Sequence, residues 1–533
     1  MLQADTRAES QSGAPAGSLL VPGLTILHHP DIGRVGERVT LTGLVSGRSE
    51  ELSRTGPAFS APGSSLLRPL ADPYMSRRPL RFEPGDEPGG VLLRCGGSGT
   101  ATVADGDAVT GDLAIPAARV ERGVVLLLAG RVVLLLSRLD PVGETGARDF
   151  GLIGASAPIT ALRREIQRVG GLDVPVLLRG ETGTGKELVA RALHDAGPRR
   201  TRPYVAVNMA AVPATLAAAE LFGAARGAYT GAERRRDGSF QRADGGTLFL
   251  DEVGETPQEI QALLLRALES HEIQPVGDDD VRRVDVRLIA ATDADLEGAV
   301  TSGRFRAPFL HRLAGYEIRV PPLRERRDDF GGLFLHFVRQ ELAEMAETGR
   351  LATSPEGRSW IPAPLVARLA AYEWPGNVRQ LRNAARQLVI AGHDAGEPGM
   401  WLQAERILQQ AGRAAEPADG DATRPLRGAP EAPPKESRRA YRSLEEVTDD
   451  DLLAALRANR WRIQRAAAQL GISRGSLYDR IERSQRIRKA VELSREEIET
   501  CRAVHGGDLD AMVETLEVSK RGLQRRMNQL GLT

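Results

Sequence analysis

Cysteine is almost missing from this 533-residue chain: only Cys95 and Cys501 occur, far apart and without metal-ligand spacing. Neither a disulfide framework nor a cysteine metal site is expected, and reduced thiols point to the cytosol. Net charge is missing too, with 71 basic residues against 71 acidic ones. No global field draws the chain to nucleic acid, so any basic surface must be local. Met1–Gly17 is polar and lacks the apolar core of a signal peptide. Long hydrophobic runs are also absent. The most apolar stretch, Val124–Leu136, is too short to span a bilayer and is interrupted by Gly130-Arg131, so it reads as a β-hairpin. A soluble, cytoplasmic protein away from membranes is expected, with room for about three or four domains.

What is present centres on Gly180-Glu181-Thr182-Gly183-Thr184-Gly185-Lys186-Glu187. The apolar Val174, Val176, Leu177 and Leu178 precede it, and the helix-like Leu188–Leu193 follows. Strand, glycine turn and helix start are the parts of a phosphate-binding loop: backbone N–H groups point inward and Lys186 brings charge to the outer phosphates. Glu187 stands where such loops usually carry a Mg²⁺-binding hydroxyl, so metal ligation must come from elsewhere. Gly245–Leu250 supplies it, an apolar strand ending in Asp251-Glu252. Strand alternation sends adjacent acids in opposite directions, so Asp251 suits Mg²⁺ and Glu252 suits the attacking water as general base. The pair implies an ATPase with ATP and Mg²⁺ as cofactors.

Before this module, residues 22–140 hold short β-prone runs at Leu24–Leu27, Arg38–Leu41, Leu66–Leu70, Leu80–Phe82, Val91–Cys95 and Ala101–Val103, then the hairpin. Regular strand spacing with turn signals predicts an all-β sandwich. Gly47-Arg48-Ser49 follows the strand-like Leu41–Val45, and Ser76-Arg77 follows a turn. Together they resemble a forkhead-associated domain, which implies phosphothreonine binding through Arg48, Ser76 and Arg77, with a phosphorylated protein or a Ser/Thr kinase as partner. Pro79 stands where that family has His, and no Asn stands near Gly97-Ser98.

Over 148–395, strands alternate with helices, the pattern of a parallel sheet wrapped by helices. Glu220-Leu221-Phe222-Gly223, then Gly227-Ala228-Tyr229-Thr230-Gly231-Ala232, resembles the signature loop of sigma-54-dependent transcription activators, which are AAA+ ATPases. The resemblance implies that Gly227–Ala232 contacts sigma-54 and that a helical lid follows Val320–Arg326. It also implies that Asn208 restrains Glu252 and that Thr292 senses the γ-phosphate. Arg306 and Arg312 would act in trans on a neighbouring subunit, and Arg379, in Trp374-Pro375-Gly376-Asn377-Val378-Arg379, would be the second sensor. Asp293 and Pro308 depart from the family's usual Asn and acidic residue. Trans-acting arginines require a closed homo-oligomeric ring, here expected to be a hexamer.

Residues 411–437 are rich in Ala, Pro, Gly and charge and read as a disordered linker. Over 444–485 an amphipathic segment, a Gly turn and a second helix capped by Ser473 resemble the Fis-type helix-turn-helix, placing Arg474, Ser476, Tyr478 and Arg480 toward DNA. A repeat offset by 46 residues over 490–533 would offer Lys520, Arg521, Gln524 and Arg525. The combined expectation is an activator that binds enhancer DNA and uses ATP to remodel the sigma-54 polymerase holoenzyme. The alternative is a DNA-binding regulator that uses nucleotide only as an oligomerisation switch.

Overall fold

The computed structural model describes residues 20–141, 148–228, 234–351 and 359–414, and beyond them 449–459, 461, 469–470, 493–505, 509–516, 518, 523, 526–527 and 532. It divides into two units, one ending at Asp419 and one beginning at Gly420. Among the described residues no helix is long and apolar enough to cross a membrane.

The first unit begins with ten strands: β1 (Val21–His28), β2 (Arg38–Thr40), β3 (Glu50–Leu52), β4 (Leu80–Pro84), β5 (Val91–Arg94), β6 (Thr102–Ala104), β7 (Asp107–Ala108), β8 (Asp112–Ile115), β9 (Val124–Leu128) and β10 (Val132–Leu139). They form a six-stranded sheet, β2-β1-β10-β9-β6-β7, and a four-stranded sheet, β3-β4-β5-β8. Leu24, Ile26, Leu126 and Leu134 of the first and Leu52, Phe82, Leu93 and Ile115 of the second share one core. The predicted hairpin is β9–β10. Ala129 and Gly130 both take positive φ, 50° and 66°, as a type I′ turn requires, and Arg131 N–H donates to Leu128 O at 2.9 Å.

Two sequence expectations fail here. Leu41–Val45 is not a strand: Thr42–Val45 is a helical turn, held because Glu50 Oε1 accepts from Gly43 N at 2.7 Å and Arg48 N–H donates to Gly43 O at 2.9 Å. Leu66–Leu70 is not a strand either. It is tied down by one β-bridge, Phe59 to Arg68, and by the Arg34 guanidinium donating to Arg68 O, Pro69 O and Leu70 O, while Leu66 and Leu67 lie exposed.

The hairpin is apolar on both faces because both are buried. Leu126 and Leu134 point into the sandwich, while Leu127, Val133 and Leu135, with Leu27 of β1, join a second core built from the helices Phe330–Glu344 and Ala363–Ala370. A fully buried side chain of this size contributes about 1.5–3 kcal/mol, so this outer face holds the sandwich firmly against the helical lid. Polar contacts fix the alignment. The hydroxyls of Thr25 and Ser137 donate to Asp328 Oδ1 at 3.0 and 2.7 Å, and Arg327 Nη1 donates to Arg122 O and Gly123 O at 2.9 and 2.8 Å.

The ATPase module adds β11 (Val176–Arg179), β12 (Tyr204–Asn208), β13 (Thr247–Asp251), the short pair β14 (Glu272–Ile273) and β15 (Arg282–Arg283), β16 (Arg287–Thr292) and β17 (Tyr316–Arg319). The main sheet runs β12-β13-β16-β11-β17, every pair parallel, as the alternating pattern predicts. Its strands read as continuous apolar runs because helices cover both faces. The lid ends in the helical segment Asn377–Ala414, broken at Gly396 (φ 61°, ψ −151°) with Pro398 just beyond. Residues 411–414 of the expected linker are therefore helical, and 415–437 lie outside the described residues.

In the second unit the helices Asp449–Ala458, Arg495–His505 and Leu509–Leu516 are described. Leu452, Leu456 and Trp461 share one core with Ile498, Cys501, Met512, Val513 and Leu523. The two repeats, expected as separate domains, thus bury their apolar faces against each other.

Candidate active site

Strand β11 ends at Arg179, the loop turns through Gly180–Gly185, and the helix Lys186–Asp195 begins. Gly183 and Gly185 have φ of 79° and 103°, and a Cβ on Gly183 would lie 2.5 Å from Gly376 O of the lid. Only glycine permits both that backbone and that approach. Lys186 is 7% exposed, and its Nζ donates to Gly180 O at 2.8 Å. It sits at the head of a helix whose first N–H groups face the loop, an arrangement suited to phosphate. Glu187, by contrast, is exposed.

The neighbouring strand ends bring the acids alongside. Asn208 and Asp251 are register partners on β12 and β13. Asp251 Oδ1 accepts from Glu252 N at 3.1 Å, and Asp251 Oδ2 accepts from Asn208 Nδ2 at 3.5 Å. Asn208 therefore contacts Asp251, not Glu252 as expected. The reason is local backbone: Glu252 has φ 52°, and its carboxyl lies close to that of Asp293. Burial, then the charges of Asp293 and Asp251, push the Glu252 carboxyl up, while Lys186 pulls it back. Asp293 in turn accepts a short hydrogen bond from the Thr182 hydroxyl, which holds its carboxyl below the usual range. Thr292 is buried, with Oγ1 accepting from Ala294 N at 3.0 Å, and its carbonyl accepts from Gly180 N at 3.3 Å.

Among the described residues no group of three or more acids, histidines or cysteines could hold a metal alone. Mg²⁺ is usually carried by one or two carboxylates together with phosphate oxygens. Asp251, at the strand end beside the loop, is the carboxylate placed to share it.

The exit segment and lid clamp the loop through Arg379, expected as the second sensor, and through Arg324, Arg326 and Asn377, to which sequence reasoning gave no role. Arg324 is paired with Glu181, Nη1 to Oε2 at 2.7 Å, and the guanidinium draws the Glu181 carboxyl down to about 2. Arg326, buried, donates to Thr184 O at 3.0 Å. Asn377 donates to Thr182 O and Glu181 Oε2, each at 3.1 Å, and Arg379 N–H donates to Gly183 O at 3.3 Å. The motif Pro321–Arg326 was visible in the sequence, but spacing alone does not say which arginine faces the loop.

Arg306 and Arg312 are not brought to this loop. Arg306 N–H donates to Gln261 Oε1 at 2.8 Å, and Arg312 Nη2 donates to Leu268 O at 2.8 Å, so both pack on the helix Gln258–Ser270. Of the signature loop, Gly227 and Ala228 are described, and Tyr229, Thr230, Gly231 and Ala232 lie outside the described residues. Its legs are pinned. Ala224 exchanges hydrogen bonds with Arg236 at 3.0 Å, and Ala225 N–H donates to Val276 O at 2.9 Å. Arg474, Ser476, Tyr478, Arg480, Lys520, Arg521, Gln524 and Arg525 also lie outside the described residues.

On the sandwich, the expected phosphate cluster must be redrawn. The antiparallel register pairs Glu50 with Phe82 and Leu52 with Leu80. Arg48 therefore sits beyond the Pro84 end, with its guanidinium donating to Ser46 Oγ at 3.2 Å, while Ser76 and Arg77 precede Leu80 at the other end. The arginine beside them is Arg54, whose N–H donates to Ser76 O at 3.1 Å. Ser76 Oγ accepts from Arg78 N at 3.0 Å, and Thr100 Oγ1 accepts from Ser76 N at 2.9 Å. Gly47-Arg48 resembled the motif in wording but precedes the strand that the motif should follow.

Compared with known families, the chain matches the Sigma-54 interaction domain over residues 152–319, the AAA+ ATPase lid domain over 324–417 and the bacterial regulatory protein, Fis family, over 443–483. It is 44% identical over 267 residues to the regulatory protein LuxO of Vibrio cholerae serotype O1, covering 50% of this chain and 49% of that one, about half its length. It is 40% identical over 376 residues to the anaerobic nitric oxide reductase transcription regulator NorR of Salmonella agona, covering 67% of this chain and 70% of NorR. Among solved structures, NtrX from Brucella abortus in complex with ADP aligns at 27% identity and a TM-score of 0.43, covering 72% of this chain and 70% of that one.

Proposed function

This chain belongs to the sigma-54-dependent transcription activators, AAA+ ATPases with a Fis-type DNA-binding tail, and from that premise we propose that it hydrolyses ATP in a ring to open sigma-54 promoters. The observation that carries this reading is the convergence of Lys186, Asp251 and Glu252 at the C-terminal end of the parallel sheet, with the lid turn Gly376–Arg379 against Gly183. Lys186 and the loop amides hold the phosphates. Glu252 orients and deprotonates the attacking water once its carboxyl leaves Asp293. Asp251 would hold Mg²⁺, which would supply charge neutralisation at the phosphate oxygens. Arg306 and Arg312, which lie away from their own loop, complete the site of the adjacent protomer, in a ring of six copies.

The Gly227–Ala232 finger delivers the resulting motion to sigma-54, while Arg474, Ser476, Tyr478 and Arg480, with the second repeat, hold enhancer DNA. The sandwich reads a phosphothreonine partner through Arg54, Ser76, Arg77 and Arg78, since arginine forks suit a phosphate dianion. Glu252→Gln is expected to abolish turnover while preserving ATP-dependent assembly, and Thr230→Ala is expected to hydrolyse ATP without opening a sigma-54 promoter. Opening retained in Thr230→Ala would refute the finger's role.

The contact between Glu252 and Asp293 favours a second reading, in which nucleotide acts only as an oligomerisation switch. ATP turnover by the purified chain decides between them.

A further inference from the structure

We propose that Asn377 is a positioning residue of the ATPase, tying the lid to the nucleotide loop and so setting the affinity for ATP. The residue is 0% exposed where the lid segment Asn377–Ala414 begins. Its φ of 52° lies in the left-handed region, which asparagine tolerates better than most residues. Its side-chain amide is used on both sides. Oδ1 accepts from Leu323 N at 2.8 Å, and Nδ2 donates to Thr182 O and to Glu181 Oε2, both at 3.1 Å.

One amide therefore joins three bodies: the segment leaving β17, the nucleotide loop, and the lid. Leu323 runs directly into Arg324 and Arg326, which grip the same loop at Glu181 and Thr184. Two residues beyond Asn377, the Arg379 N–H reaches Gly183 O. Any rotation of the lid must carry Glu181–Gly183 with it or break these bonds. Those loop residues govern how well the backbone fits a triphosphate. The Asn377 side chain bonds to Leu323, Thr182, Glu181 and Pro375, so the chemistry of the bound state is left to Lys186 and Glu252.

The discriminating variant is Asn377→Asp in the full chain. It keeps an oxygen for Leu323 N–H and the same shape, but turns an acceptor toward Thr182 O and Glu181, where two donated bonds stood. Loss of loop positioning is expected to raise KM for ATP, and Kd for a fluorescent ATP analogue, by about ten-fold or more, with kcat within about three-fold of wild type. A role confined to capping Leu323 would leave KM and Kd unchanged in Asn377→Asp, and that result overturns the proposal. So does a fall in kcat at unchanged KM. If the Asp variant does not fold, Asn377→Gly, at ease with the positive φ, carries the same test, and unchanged nucleotide affinity there is equally fatal. The inference rests on the ATPase reading, and the binding measurement separates the two. A wild-type chain that binds the analogue without turning over ATP would fail that reading while leaving the Asn377 test standing.

Discussion

Replacing Asp329 by alanine should cost more stability than any other single truncation along the exit segment. Its carboxylate is 2% exposed and accepts from Ala155 N at 2.7 Å, Ser156 N at 2.9 Å and Ser156 Oγ at 2.5 Å, with Arg38 Nη2 at 3.8 Å. Asp329→Ala strands two buried N–H donors at about 1–3 kcal/mol each. The Ser156 hydroxyl can rotate elsewhere, and Arg38 still donates to Ala155 O at 2.6 Å. The sum is about 2–6 kcal/mol, which brackets the cost of breaking a buried charged network.

Asp329→Asn keeps an oxygen for both N–H donors and offers its amide to Ser156 Oγ, so its cost should stay near 1 kcal/mol. Urea unfolding followed by tryptophan fluorescence measures both, since Trp374 stacks on the adjacent Phe330. An Asn variant as damaged as the Ala variant would mean that charge, not hydrogen bonding, holds the segment. An Ala variant within about 1 kcal/mol of wild type would refute the network altogether.

Acidity gives an independent check. Burial pushes the Asp329 carboxyl up, and the Ser156 hydroxyl, Arg38 and the backbone donors offset only part of that. A carboxyl raised on folding binds its proton more tightly when folded. Its contribution is therefore complete below the unfolded pKa and is lost as pH rises through the folded one. Wild type should lose stability relative to Asp329→Asn as pH rises above the ordinary carboxylate range; a change in the opposite direction would contradict the sign.

Other perturbations probe the sandwich. A Cβ on Gly331 would lie 2.5 Å from Leu27 O and 2.8 Å from Leu27 Cα, backbone atoms that cannot give way, so Gly331→Ala should cost about 1–3 kcal/mol. Amide exchange in Val21–His28 should accelerate in that variant, and unchanged protection there would show that the sandwich does not depend on this contact. In a phosphothreonine-peptide pull-down, Arg54→Ala should lose binding and Arg48→Ala should keep it. The reverse pattern would restore the reading from wording alone.

The ATPase was legible because its signals are local and ordered. A glycine loop after an apolar run, two acids ending another, and the lid turn Trp374–Arg379 each name an element by its own residues, and the parallel sheet follows from their alternation. The apolar run Val124–Leu136 announced a hairpin in the same way. Either side of Gly130-Arg131 its residues do not alternate, as those of a half-exposed hairpin would, and that was the one local sign that a second surface covers it. What the run cannot name is that surface, since the lid helices Phe330–Glu344 and Ala363–Ala370 follow some two hundred residues later.

Register and side-chain direction were decided only in three dimensions. Arg48 and Arg54 flank the same three-residue strand, and which of them meets Ser76 depends on how β3 pairs with β4. Asn208 and Glu252 suit one another by motif, yet the left-handed backbone at Glu252 turns its carboxyl to Asp293. Arg324 and Arg326 read as part of the exit toward the lid and Asn377 as a helix start, with no role at the loop, until the exit segment folds against it. The chain by itself determined which chemistry is present, because catalytic groups must sit at fixed spacings around a phosphate. Tertiary packing decided which distant groups hold that chemistry in place, because a hydrogen bond depends on separation in space and not along the backbone.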